Sequence, residues 1–141
     1  MKKIKSGIAL FLVCSLLALF VPAVAAAGVD ITDKFTDPNF KAAIYQTIGK
    51  TAPDPIYDSD VNGITKLDVI FKNISDLSGI EYLTALTNFG CEYTQLTTLD
   101  VSKNTTLTYL ECYKNKLITL DVSQNTALTD LYCSNNPVKY L

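Results

Sequence analysis

Residues Leu86 to Thr106, LTNFGCEYTQLTTLDVSKNTT, recur as LTYLECYKNKLITLDVSQNTA from Leu107 and, shortened, as LTDLYCSNNPVKYL from Leu128. In register, the apolar positions form columns 21 residues apart: Leu86, Leu107 and Leu128; Phe89, Leu110 and Leu131; Cys91, Cys112 and Cys133. Leu96, Leu117 and Val138 follow, then Leu99, Leu120 and Leu141, with Val101 and Val122 closing the set, which gives the pattern LxxLxCxxNxLxxLDVSxN. A fixed period of this length is the signature of a repeat array. One such unit cannot bury its apolar side alone, and stacking units makes a continuous core. The LxxLxC stretch reads as the strand, with Leu110 and Cys112 pointing inward at period two. Asn115 and Asn136 are expected to turn inward after it, where an amide can satisfy loop backbone groups that would otherwise be buried unpaired. Thr94 holds that place one repeat earlier and can do only part of the job.

A looser copy begins at Ile64 with Ile64, Leu67, Val69, Ile74 and Leu77. It is 22 residues long, because Ser78-Gly79-Ile80 inserts one residue before Tyr82 and Leu83 restore the register.

Residues preceding the array read as a cap. Asp37 is a good N-cap and Pro38 suits the first helical position. Phe40, Ala43, Ile44, Thr47 and Ile48 fall on one helical face, and Gly49 stops the helix. Pro53 and Pro55 turn the chain into a polar segment, Tyr57 to Asn62. The helix is expected to cover the open apolar end of the first repeat, as solenoids require to stay soluble.

Taken together, these residues resemble the bacterial leucine-rich-repeat proteins that include the internalins. Ile74 to Phe89, ISDLSGIEYLTALTNF, looks like the 22-residue internalin-type unit, and the later units look like a 21-residue Cys-containing variety. Residues 31 to 63 resemble the N-terminal cap that precedes such arrays. The resemblance implies an α/β solenoid: a short right-handed array with a parallel, concave β-sheet that binds a partner, behind an N-terminal helical cap. It names no ligand.

At the N-terminus, Lys2, Lys3 and Lys5 precede an apolar run from Ile8 to Val21, and a small-residue stretch follows Pro22. This is the layout of a secretory signal, with cleavage after Ala25 or Ala27. The run is short for a membrane span. A lipoprotein signal on Cys14 fails because Val13 stands where a small residue belongs. The expected division is therefore a signal over 1–27, a cap over 28–63 and repeats over 64–141, with export to the medium or the cell surface. No membrane insertion is expected after cleavage.

Three of the twelve lysines lie in that signal, leaving nine against fourteen acids, with no Arg, for a net charge of −5. This balance disfavours nucleic acid and anionic membranes as partners. The sequence has no His, which removes the commonest general base and the commonest metal ligand. Without a Ser-centred nucleophile motif or a Gly-rich phosphate loop, nothing supports an enzyme within these residues, and no cofactor is expected.

Two groups invite chemical readings. Three cysteines remain after signal removal, but Cys91, Cys112 and Cys133 share an inward column where a small apolar residue is wanted. Neighbours in a parallel ladder carry parallel Cβ vectors, poor geometry for a disulfide, so buried free thiols are expected. Asp58-Ser59-Asp60-Val61-Asn62-Gly63 matches the first half of a calcium loop, but Val69 stands where the closing bidentate acid belongs. The segment is read instead as a capped turn leading into the first strand. Asn73 and Asn104 match a glycosylation pattern that carries little weight in a chain of bacterial type.

Function is expected on the strand positions that flank the inward columns. These are Lys66, Asp68, Ile70 and Phe71; Asn88, Gly90, Glu92 and Tyr93; Tyr109, Glu111, Tyr113 and Lys114; Asp130, Tyr132, Ser134 and Asn135. Phe71, Glu92, Tyr93, Tyr109, Glu111, Tyr113, Asp130 and Tyr132 are the candidate binding residues, since exposed aromatics most often anchor interfaces. The expected partner is a protein ligand, with a glycan as a second class. The alternative is an accessory portion of a larger surface protein or enzyme. The sequence stops mid-repeat at Leu141, with neither a closing cap nor an LPxTG signal, so self-association through an uncapped end is also an expectation.

Overall fold

The computed structural model describes residues 28–139. The signal expected over 1–27 lies outside the described residues, as does Leu141, the last member of its column.

The first long element is helix α1, Pro38–Ile48. Asp37 caps it, its side chain accepting from the Asn39 and Phe40 amides, and Gly49 ends it in the left-handed region at φ 68°. Phe40, Ala43, Ile44 and Tyr45 are its buried residues. The apolar face expected at the sequence level is corrected at one position. Thr47 is exposed and returns its hydroxyl to the Ala43 carbonyl at 2.8 Å, while Tyr45 is buried and its hydroxyl donates to the Asp54 carbonyl at 2.7 Å. An aromatic ring with a polar tip can be buried where that tip finds a partner.

Asp58 to Val61 forms a one-turn helix, α2. The Asp60 carboxylate accepts from the Tyr57 amide at 2.7 Å and pairs with Lys50 at 2.5 Å, and Asp58 accepts from the Val29 amide at 2.9 Å. Both acids of the calcium-like segment are thus engaged in fixing the cap.

Four strands follow: β1 Lys66–Asp68, β2 Asn88–Gly90, β3 Tyr109–Glu111 and β4 Asp130–Tyr132. They form one parallel sheet in sequence order. Leu67, Phe89, Leu110 and Leu131 stand in register, the first three buried and the last half-buried. Cys91 and Cys112 are likewise buried beneath the sheet, and Cys133 is half-buried. All three are free thiols. Burial pushes the Cys112 thiol up to about 12 and Cys91 well above its ordinary value.

Short strands are held by ladders that run past their ends. Thr87, Thr108 and Thr129, which precede the last three strands, each donate both amide and hydroxyl to the carbonyl of the Thr one unit earlier, as Thr108 does to Thr87 at 2.9 and 3.1 Å. Beyond the strand, Cys91 N donates to Glu111 O and Cys112 N to Tyr132 O, both at 2.8 Å. The chain then turns through a left-handed residue in every unit: Phe71, Tyr93, Lys114 and Asn135, at φ 57°, 54°, 55° and 56°. None is glycine, so each turn carries steric strain that the repeat must outweigh.

That turn aims the next side chain inward. Asn115 Nδ2 donates to the Cys91 and Cys112 carbonyls at 2.8 and 3.2 Å, while its Oδ1 accepts from the Leu96 amide at 3.1 Å. Asn136 repeats the arrangement with Cys112, Cys133 and Leu117. Thr94 Oγ lies 2.9 Å from the Cys91 carbonyl and 2.6 Å from Asn115 Oδ1, and its single proton can serve only one of them. A second asparagine ladder runs along the returning side. Asn104 donates to Ile80 O and Leu83 O, and Asn125 to Val101 O and Asn104 O.

Cap and repeats share one apolar core, from Ile31 to Leu120. The extra residue of the first unit falls at Gly79, whose φ is 103° and where a Cβ would stand 2.5 Å from the Phe35 ring. Close packing of the cap against the first repeat therefore requires a glycine there.

Candidate functional site

The solvent face of the sheet carries four transverse rows of side chains. Two are fixed by strand pairing: Lys66, Asn88, Tyr109 and Asp130, then Asp68, Gly90, Glu111 and Tyr132. The ladder beyond the strands adds Ile70, Glu92, Tyr113 and Ser134, then the left-handed row Phe71, Tyr93, Lys114 and Asn135.

These rows bring the aromatic candidates together in two groups. Phe71 stacks on Tyr93 with ring centroids 4.3 Å apart, and Tyr93 meets Tyr113 edge-on at 5.6 Å. Tyr109 and Tyr132 lie 5.5 Å apart. Stacking does not bury them. Phe71 is 69% exposed and Tyr132 48%, while Tyr93, Tyr109 and Tyr113 are half-buried. The Lys114 ammonium sits 4.5 Å from the Tyr93 ring centroid and 2.5 Å from the Tyr93 hydroxyl, so the row already holds a cation against an aromatic face.

Acidic candidates separate sharply. Asp130 is exposed and Glu111 half-buried. A hydrogen bond to the Glu111 carboxylate, aided by burial, pushes the Tyr109 hydroxyl up to about 12. Glu92 departs from the sequence reading, which places it among the presented strand positions: the residue is only 5% exposed. The reason is its neighbour. Gly90 offers no side chain, and the Glu92 carboxylate folds over the gap, with Oε2 3.2 Å from where a Gly90 Cβ would stand. Asp68 Oδ1 approaches the same point from β1 at 2.8 Å. Burial raises the Glu92 carboxyl above its ordinary range, against a hydrogen bond from its own backbone, and the Glu111 and Asp68 charges add to the rise.

Among the described residues, no group of three or more His, Cys, Asp or Glu side chains is gathered so as to hold a metal ion. None of the described helices is long and apolar enough to cross a membrane. Sequence reasoning missed the close approach of Asp68 and Glu92 over Gly90. Its signal was the lone glycine in a strand position, the usual mark of a close approach.

No family model matches the chain. Residue by residue it is 44% identical to internalin J of Listeria monocytogenes over 73 residues, 52% of this chain and 8% of that protein. Among solved structures it resembles the functional domain of InlJ from Listeria monocytogenes, which is described as including a cysteine ladder. The TM-score is 0.74 at 38% identity, over 82% of this chain and 28% of that one. The internalin InlF of the same organism superposes with a TM-score of 0.72 at 27% identity, over 80% of this chain and 34% of that one. The chain spans less than a tenth of the curated relative's length and about a third or less of these solved chains. These relatives indicate no catalytic family.

Proposed function

We propose that this chain, an internalin-like bacterial leucine-rich-repeat protein, is a non-enzymatic binding module that holds a protein ligand on the concave face of its sheet. One observation carries the reading: the aromatic groups Phe71–Tyr93–Tyr113 and Tyr109–Tyr132 pack against one another yet remain at least partly open to solvent. Rigid, part-exposed aromatics give large contact area with little side-chain entropy left to lose, which is the chemistry of interface anchors. The rest of the assignment follows the sequence: a leader over 1–27 that exports the chain to the medium or cell surface, a cap over 28–63, and repeats over 64–141. Phe71, Tyr93, Tyr109, Tyr113 and Tyr132 are the anchors, with Glu111 and Asp130 as polar contacts at their margin. Lipid and nucleic acid are poor fits to a face lined by Asp68, Glu92, Glu111 and Asp130. A glycan could use the same tyrosines by stacking.

A photo-crosslinker placed at Tyr109 should capture a ligand from cell-surface extracts that the same group at Thr119, outside the rows, does not. Binding of that purified ligand is then compared for the wild type and the Tyr93→Ala, Tyr113→Ala, Tyr132→Ala triple variant. We expect a loss of about a hundredfold or more with folding retained. Undiminished binding by a folded triple variant would sink the reading.

A second reading, an accessory portion of a larger surface protein or enzyme, is favoured by the length of the relatives, in which a stretch like this one occupies a small part. The binding face would serve the same purpose there.

A further inference from the structure

Gly28 is built against a carboxylate. A Cβ added to it would fall on Asp58 Oδ1 and stand 3.0 Å from the Ser59 hydroxyl. A backbone nitrogen lies about 2.5 Å from its own Cβ site, so Gly28 N is within about 4.5 Å of that oxygen. The bonds that follow hold this end of the chain in place. Val29 N donates to Asp58 Oδ1 at 2.9 Å, Asp58 N to Val29 O at 3.0 Å, and Ile31 N to Ile56 O at 2.8 Å. Asp58 is half-buried, and no lysine among the described residues pairs with it, whereas Asp60 has Lys50. Of the other nearby acids, Asp30 is turned to Thr32 and Asp60 to Lys50 and the Tyr57 amide. Asp58 is the acid that faces Gly28, and it lacks a cation.

We propose that the leader is cut between Ala27 and Gly28, and that the ammonium this creates is bound by Asp58 and fastens the first segment of the cap. This rests on the export reading and adds where the leader ends and what its removal does. The exporting cell's signal peptidase hydrolyses the bond between the Ala27 carbonyl carbon and Gly28 N. Water supplies an oxygen to that carbon, leaving a carboxylate on the leader, and its two hydrogens end on Gly28 N. An amide nitrogen there carries no charge, whereas an ammonium brings a full charge and three donors to the carboxylate. Ala25-Ala26-Ala27 supplies the small residues such a cut requires. A cut after Ala25 would instead leave the charge two residues, about 7 Å of extended chain, from Gly28 N.

The precursor is expressed in a secreting bacterial host, and mass spectrometry of the exported chain should show Gly28 as its first residue. Two chains are then released from fusions, one beginning at Gly28 and one at Ala26, each with Asp58 and with Asp58→Asn. Asparagine keeps an acceptor for the Val29 and Ser59 amides and loses the charge. The Gly28 chain should melt about 1–4 °C above the Ala26 chain, and the two Asp58→Asn chains should melt together. The Gly28 amine, followed by nitrogen-15 NMR, should titrate above the ordinary range of about 7.7–8.0 and return to it in Asp58→Asn. Should Asp58→Asn fail to fold, the amine titration in the wild type decides. The proposal is overturned by a melting difference that is absent or survives Asp58→Asn, or by an amine that titrates in the ordinary range. Export of a chain cut at another bond also overturns it and leaves the leader standing, whereas an uncut precursor removes both.

Discussion

The Asp37 carboxylate joins cap to array: Oδ1 accepts from the Asn39 and Phe40 amides at the start of α1, and Oδ2 accepts from the Ser75 amide, 38 residues on, at 2.9 Å. Thr36–Asp76 and Asn39–Asn73 contacts flank it, so one side chain sits at the centre of the seam between helix and first repeat.

Asp37→Ala should therefore cost more than an ordinary N-cap. Loss of the cap alone is worth about 1–2 kcal/mol, and the Ser75 amide is left without its partner. We expect a loss of about 2–3 kcal/mol in denaturant unfolding, with Ser75→Ala costing much less because its amide remains. Burial pushes the Asp37 carboxyl up, but hydrogen bonds from Ser75, Phe40 and Asn39 outweigh it and hold it below the ordinary value. Its contribution is present above the ordinary aspartate range and is lost as pH falls through the lowered folded value. Acid unfolding should accordingly begin at higher pH in a variant that weakens these bonds.

Asn115→Ala removes an amide that satisfies the Cys91 and Cys112 carbonyls and the Leu96 amide at once. Orphaning buried backbone groups costs about 1–3 kcal/mol each, so this substitution should cost at least about 3 kcal/mol. Asn136→Ala, at a half-buried position, should cost clearly less. Equal effects in urea unfolding would contradict the role given to burial.

The cysteine column predicts an order of modification. Cys133 is half-buried, whereas Cys91 and Cys112 are fully buried, with thiols raised by burial, Cys112 to about 12. Near pH 8 a thiol of that pKa is thiolate only about one part in ten thousand. Iodoacetamide should label Cys133 first in native protein and reach the other two only on unfolding. Labelling at equal rates would show the column to be open.

Glu92 predicts the opposite pH dependence to Asp37. Its carboxyl is raised in the folded state, so its stabilising contribution is complete below the ordinary glutamate value and is lost as pH rises through the folded one. Glu92→Gln should match the wild type at low pH and melt at a higher temperature near neutrality. A variant less stable than wild type near pH 7 would mean that the charge is compensated after all.

Much of the fold was legible in the residues. The 21-residue columns identified which side chains face inward, because only a stacked array keeps Phe89, Leu110 and Leu131 equivalent. Capping chemistry placed both ends of α1, since Asp37, Pro38 and Gly49 act through bonds within a turn of their own position. The binding face was legible only as a set of positions. Period two says that Glu92 and Tyr113 leave the inward column; it does not say that one is buried and the other half-open.

What the sequence determined by itself was local or periodic: the repeat, the thiol column, the cap and the asparagine after each of the last two strands. Tertiary structure decided what depends on a neighbour from another unit. It stacked Phe71 on Tyr93, brought Thr47 to the surface and Tyr45 inside, and joined Asp37 to Ser75. The absent side chain at Gly90 let Glu92 and Asp68 close over one space, and contact across strands cannot be read along a single one.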